Sequence, residues 1–179
     1  MYSEHAAVHH LDVTRGETLY RVFLLSSTLQ VDVSFWAQAQ FGAIGPGFRL
    51  LFGTANPLAA AAPSAVELVG MGWLYALHAR SSIARGRVWQ AEYMISAMRD
   101  QVLALACLRH GVPPVQGRGM DDLPPEVTVA VAPGLIRSLE IPELKRAFAA
   151  ITQALLDETD RTDPGLADRL TKPLRELAS

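Results

Sequence analysis

At 179 residues, half of them hydrophobic and 19% charged, the chain has enough apolar side chain for one compact domain or two small lobes, and too much for wholesale disorder. A formal net charge of −2 excludes a polycation, so a nucleic-acid backbone is not the expected partner. The one cysteine, Cys107, excludes an intramolecular disulfide and a zinc site built on Cys pairs; in LALACL it reads as a small buried residue, in keeping with a reducing cytoplasm.

The opening MYSEHAAVHHLDV has no basic start followed by an apolar run, so no secretory signal is expected. Residues 1–53 read as β-rich. Residues 19–25 (LYRVFLL) and 29–36 are two apolar runs joined by Ser26, Ser27 and Thr28, which predicts a β-hairpin. The second run alternates: Leu29, Val31, Val33 and Phe35 make one apolar face, and Gln30, Asp32 and Ser34 the other. A lone hairpin is marginal in water, and with little ahead of it this one reads as the end of a sheet. The next stretch opens as a loop at Gly42, Gly45, Pro46 and Gly47, and FRLLFG recovers a short strand or turn.

PLAAAA, residues 57–62, reads as a linker or the approach to a helix, which sets domains of 1–56 and 57–179. Residues 57–77 carry little charge, yet Pro63, Glu67, Gly70 and Gly72 in an alanine background are too weakly apolar for a membrane span. Ser64 with Glu67 forms a capping box for a helix that stops near Gly86. Gly70 and Gly72 make sense there if another backbone packs close. A second helix runs from about Val88 to His110 and ends at Gly111, with the apolar stripe Val88, Ala91, Ile95, Met98, Val102 and Leu105. The joint is short, so the two helices are expected to be antiparallel neighbours. Residues 112–134 read as a loop with room for a helical turn after Pro124. A third helix follows Pro142 (PELKRAFAAITQALLDE), and a fourth, residues 165–177, is expected to break at Pro173. The fold class is α+β: a hairpin piece of a sheet, then a mainly α-helical bundle.

A second stripe along the long helix reads Arg85, Trp89, Glu92, Ser96 and Arg99, with Asp100 beside it. It mixes aromatic and charged groups on one face. His78, seven residues before Arg85, would reach the same cleft if the two helices lie together. Two readings stand. The face binds a ligand, or Arg85, Glu92 and Arg99 form a surface salt-bridge ladder worth about 0.3–0.5 kcal/mol per pair. Taken singly, His78 reads as an ordinary helix residue, Asp32 as a solvent-facing strand residue, the Met and Trp side chains as core, and Asp121-Asp122 as a turn. No Gly-x-Gly-x-x-Gly, Walker loop, Gly-x-Ser-x-Gly or His-Glu-x-x-His occurs.

The segments LYRVFLLSSTLQVDVSF, GPGFRLLFG and GWLYALHARSSIARGRVWQAEYMISAMRDQVLALACLRHG, within residues 17–160, resemble bacterial nucleotidyltransferase-domain proteins of the DNA polymerase β superfamily, the group of the aminoglycoside and lincosamide nucleotidyltransferases. The resemblance implies transfer of a nucleoside monophosphate from a magnesium-bound nucleoside triphosphate to the hydroxyl of a small acceptor, with release of pyrophosphate. It implies a sheet with a Gly-Ser turn for the triphosphate, an Asp-x-Asp strand, and a third carboxylate on a neighbouring strand, followed by a helical lobe that shapes the acceptor pocket. Magnesium suits that chemistry because it takes oxygen ligands and neutralises phosphate charge. By position Asp32 matches the third carboxylate, as catalytic residue and metal ligand. Arg85, Trp89, Glu92, Arg99 and His78 would line the acceptor or nucleotide side and converge with Asp32 on one hollow. The chain departs from the pattern in having no Gly-Ser dipeptide and no Asp-x-Asp ahead of Asp32. The expectation is therefore little or no transferase activity from this polypeptide alone. It would be a truncated product, a remnant, or a chain completed by another, including a second copy in a homodimer paired at the open sheet edge. The alternative is a non-catalytic helical module that binds a ligand or a protein.

Overall fold

The computed structural model describes residues 6–43, 47–57 and 63–179. The chain forms an α+β structure in two compact units, Met1–Ala61 and Ala62–Ser179.

The first unit is a three-stranded antiparallel meander of β1 (Ala7–Arg15), β2 (Thr18–Leu25) and β3 (Gln30–Phe35), in that spatial order. The hairpin read from the sequence is β2–β3, with Val22 opposite Asp32 and Phe23 opposite Val31. The expectation of little ahead of it is corrected, because β1 pairs along β2 with Leu11 opposite Val22. Its alternation is concealed by a register shift between Ala7 and His9, so Val8, Leu11 and Val13 do not keep a period of two. Cross-strand partners share a face. Phe23, Val31 and Val33 therefore lie on one side of the sheet, and Val22, Tyr20 and Asp32 on the other.

The apolar side is thin. Phe23 is buried, Val31 and Val33 are half-buried, but Leu29 and Phe35, expected inside, are 64% and 54% exposed. FRLLFG does not recover a strand: residues 48–52 are an exposed loop, which leaves the ends of β3 uncovered within this unit. The loop is pinned where the Asn56 N–H donates to Phe41 O at 2.8 Å and its amide donates to Gln38 O at 3.0 Å. Residues 44–46 of the predicted loop and 58–62 of the predicted linker lie outside the described residues.

The second unit is helical: α1 (Ala65–Ala84), α2 (Val88–His110), α3 (Pro125–Val131), α4 (Ile141–Thr162) and α5 (Pro164–Leu177). The capping box forms as read. Ser64 Oγ accepts from the Glu67 N–H (3.2 Å), and Glu67 Oε2 accepts from the Ser64 N–H (2.9 Å). These bonds hold the Glu67 carboxyl below its ordinary range. At the end of α2, Gly111 takes φ +69°, and the Val112 N–H reaches back to Cys107 O at 3.0 Å.

The stripe foreseen on α2 is the core: Ala91, Ile95, Met98, Val102 and Leu105 are buried and Val88 is half-buried. α1 and α4 pack on it, adding Ala76, Ala79, Phe148, Ile151 and Leu155. A Cβ added to Gly72 would stand 2.9 Å from Leu155 Cδ1, whereas one on Gly70 would meet nothing closer than Trp73 Nε1 at 4.0 Å. Close packing thus accounts for Gly72 and not for Gly70. No helix among the described residues is long and apolar enough to cross a membrane.

Residues 112–134 are more ordered than a loop. They hold 3₁₀ turns at Met120–Asp122 and Ala132–Gly134 on either side of α3. Leu123 and Val127 cover Ala106 and Cys107 on α2, and burial raises the Cys107 thiol pKa. The predicted break at Pro173 is also corrected. α5 runs through it, since the missing N–H removes one hydrogen bond while Leu174 is buried in the core. At the start of α4, Arg146 Nε donates to Glu143 Oε2 at 2.7 Å and Arg146 Nη2 to Leu135 O at 2.9 Å, while Glu143 accepts the Arg137 N–H at 3.0 Å. Chiefly through Arg146, this brace lowers the Glu143 pKa from 4.5 to about 2.

Gly72→Val should lower stability by about 1–3 kcal/mol through overpacking against Leu155, while Gly70→Ala should raise it by up to roughly 1 kcal/mol through helix propensity. Equilibrium urea denaturation of both variants checks the pair. A carboxylate with a depressed folded pKa contributes stability that is complete above its unfolded value and lost as pH falls through the folded one. The Glu143 contribution should therefore fade between pH 4.5 and about 2, and Glu143→Gln should flatten the acid unfolding curve in that window.

Candidate functional site

Asp32 stands at the middle of β3, on the sheet face that also carries Leu11, Val22 and Tyr20. Gln30 Nε2 donates to both of its carboxylate oxygens at 2.9 Å, and no cation pairs with it among the described residues. The sheet's other mid-strand acid, Asp12, lies on the opposite face. There Arg21 Nε donates to Asp12 at 2.7 Å and holds that carboxyl below its ordinary range. Magnesium needs several hard oxygen donors in octahedral array. Asp32 supplies one carboxylate, and no group of three His, Cys, Asp or Glu among the described residues could hold a metal ion. The donor set present here does not amount to a magnesium site.

In the second unit, Trp89 is exposed on α2, while Glu92, Ser96 and Arg99 are half-buried along the flank of its core face. The predicted ladder is absent. Glu92 Oε1 accepts from Ser96 Oγ (2.8 Å), Arg99 pairs with its neighbour Asp100 (2.8 Å), and Arg85 Nε donates to Ser81 O (3.1 Å). Arg85 caps α1 in the turn before α2, so its side chain folds back on α1. Trp89 is 74% exposed, with the exposed Tyr93 one turn on, which corrects the expectation that the tryptophans are core. His78 is exposed on α1. Asp32 belongs to one unit and the stripe to the other, so neither unit by itself contains the expected constellation.

Of the predicted residues, Arg99 lines a hollow. It is open, about 380 Å³, with a largely apolar floor from Leu103, Met120, Val131 and Leu135 and with Asp121 at its edge. A second cleft, about 280 Å³, lies between the end of α2, α3 and α4, and was not read from the sequence. Its polar centre is Glu158, 3% exposed, whose carboxylate accepts from Arg109 Nε and Nη2 at 3.0 Å each and from Arg161 Nη1 at 2.6 Å. Arg109 and Glu158 are 49 residues apart, beyond any local pattern. A signal was nonetheless present: Glu158 falls three residues after Leu155 and seven after Ile151, at a position the apolar period assigns to the core. A buried acid at such a position needs a basic partner.

No family profile, curated protein or solved structure matches the chain.

Arg109→Ala leaves the buried Glu158 carboxylate with a single, half-exposed partner, and should cost about 1–3 kcal/mol. Arg99→Ala, which breaks an exposed pair between sequence neighbours, should stay within about 0.5 kcal/mol. Chemical denaturation of the two variants tests the contrast.

Proposed function

We propose that this chain is nucleotidyltransferase-like, of the type that moves a nucleoside monophosphate from a magnesium-bound nucleoside triphosphate to a small acceptor hydroxyl. The sheet contributes the third carboxylate, Asp32, and the helical unit belongs to the acceptor side. The polypeptide alone is inactive, because the paired acids that complete the metal set are absent from its sequence. The resemblance supplies the reaction. The observation that supports it is the state of Asp32: a mid-strand acid on an open face, oriented by the neutral Gln30 amide and neutralised by no described cation. An acid serving sheet stability is expected to look like Asp12, with a guanidinium across the strand. Gln30 holds the Asp32 carboxylate through both oxygens. A cytoplasmic location goes with this reading, since nucleoside triphosphates are supplied there.

A second reading is a non-catalytic helical binding module. It is favoured by the hollow beside Arg99, whose apolar floor and single guanidinium suit a small ligand without nucleotide chemistry.

Calorimetric titration with ATP and magnesium separates the two. The first reading expects weak, magnesium-dependent binding that Asp32→Ala abolishes and Asp12→Ala leaves alone. Binding that survives Asp32→Ala but falls with Glu92→Ala or Arg99→Ala selects the helical module. If all three substitutions are silent, both readings fall.

A further inference from the structure

We propose that the cleft between the end of α2, α3 and α4 binds a small zwitterion, a ligand of the free amino acid class with one carboxylate and one ammonium group. Its floor is apolar, from Val127, Val131 and Ala154, and its walls carry charges of both signs that do not cancel where they stand. Arg109 and Arg161 share one acid. Glu158 takes Nε and Nη2 of Arg109 and Nη1 of Arg161. That leaves Nη1 of Arg109 and Nε and Nη2 of Arg161 without a protein acceptor among the described residues. Two guanidiniums against one carboxylate leave positive charge in excess at this end.

The opposite excess lies in the same cleft. Asp157 and Glu126 line it, and no described cation pairs with either; Asp157 accepts only the neutral amide of Gln153, at 2.7 Å. The C-terminal carbonyls of α2, at Arg109 and His110, add partial negative charge. A plain anion would meet these acids, and a plain cation would meet the guanidiniums. A ligand with both charges satisfies both ends, and its side chain can lie on the apolar floor. A helix staple does not account for the arrangement. Arg109 alone already holds Glu158 by both oxygens and ties α2 to α4, so Arg161 is surplus to that role. Burial of Glu158 instead sets two guanidiniums in fixed positions.

All these residues belong to the helical unit, so the inference stands apart from the nucleotide reading and fails separately from it. The test is calorimetry and thermal shift on the full chain with glycine, L-alanine, L-leucine and L-glutamine as probes, and acetate and methylammonium as half-ligands. At least one amino acid should give saturable binding, with each half-ligand roughly tenfold weaker or more. Asp157→Asn changes an exposed group and Arg161→Gln leaves Arg109 on Glu158; each should weaken binding by roughly tenfold with the melting temperature unchanged. No saturable signal from any amino acid up to about 10 mM, acetate binding as tightly as the amino acids, or both variants binding like the parent chain would overturn the proposal.

Discussion

The helical unit depends on how near α1 can come to α4. At Gly72 there is no side chain, and Leu155 fills the space a Cβ would need. One and two turns further along α1, Ala76 and Ala79 keep the approach narrow, and on α2 Ala91 does the same. The bulky side chains come from α4 and the middle of α2: Phe148, Ile151, Ile95 and Met98. Small residues facing large ones let helices interlock without voids. Once that seam is closed, the orientation of α2 is settled. Its outer side is bare at Trp89 and Tyr93, and covered at Ala106 and Cys107 by Leu123 and Val127. The hollow beside Arg99 lies where that cover meets α2, and the Glu158 cleft where it meets α2 and α4, so both follow from the seam.

Two carboxylates on α4 fasten what apolar packing leaves loose. Glu143, in the first turn, holds Arg146 against the carbonyls of the preceding turn. Glu158, near the last turn, holds the end of α2 through Arg109. The first is half-buried and responds to acid. The second is buried, and a buried charge tolerates the loss of a partner poorly. The same physics separates the two acids of the sheet. Asp12 is tied to Arg21, whereas Asp32 keeps a neutral partner on an open face. The absence of a described cation beside it sets Asp32 apart from Asp12 in a unit that buries little else besides Phe23 and Thr18.

Much of the fold was legible because it is local. The Ser64–Glu67 box, the α2 stripe from Ala91 to Leu105, the Gly111 stop and the β2–β3 hairpin each follow from residues within a few positions of one another. Where reading failed, a non-local effect had intervened. A register shift concealed β1, burial of Leu174 carried α5 through Pro173, and α2 gave α3 the surface to fold against. At the site, periodicity placed Trp89, Glu92, Ser96 and Arg99 on one face correctly but could not say whom each would touch. Side-chain partners are chosen by distance in space, and Ser81, Ser96 and Asp100 were nearer than the members of the imagined ladder.

By itself, then, the sequence determined where α1 and α2 begin and end, which face of α2 is apolar, and which face of β3 carries Asp32, because these depend on bonds and spacings along a single stretch of backbone. Only the tertiary structure decided that Gly72 meets Leu155, that Arg109 reaches across 49 residues to a buried Glu158, and that a cleft with unbalanced charges opens beside them. Those are consequences of packing one element on another, and residues far apart in the chain carry no mark of the neighbour they will find.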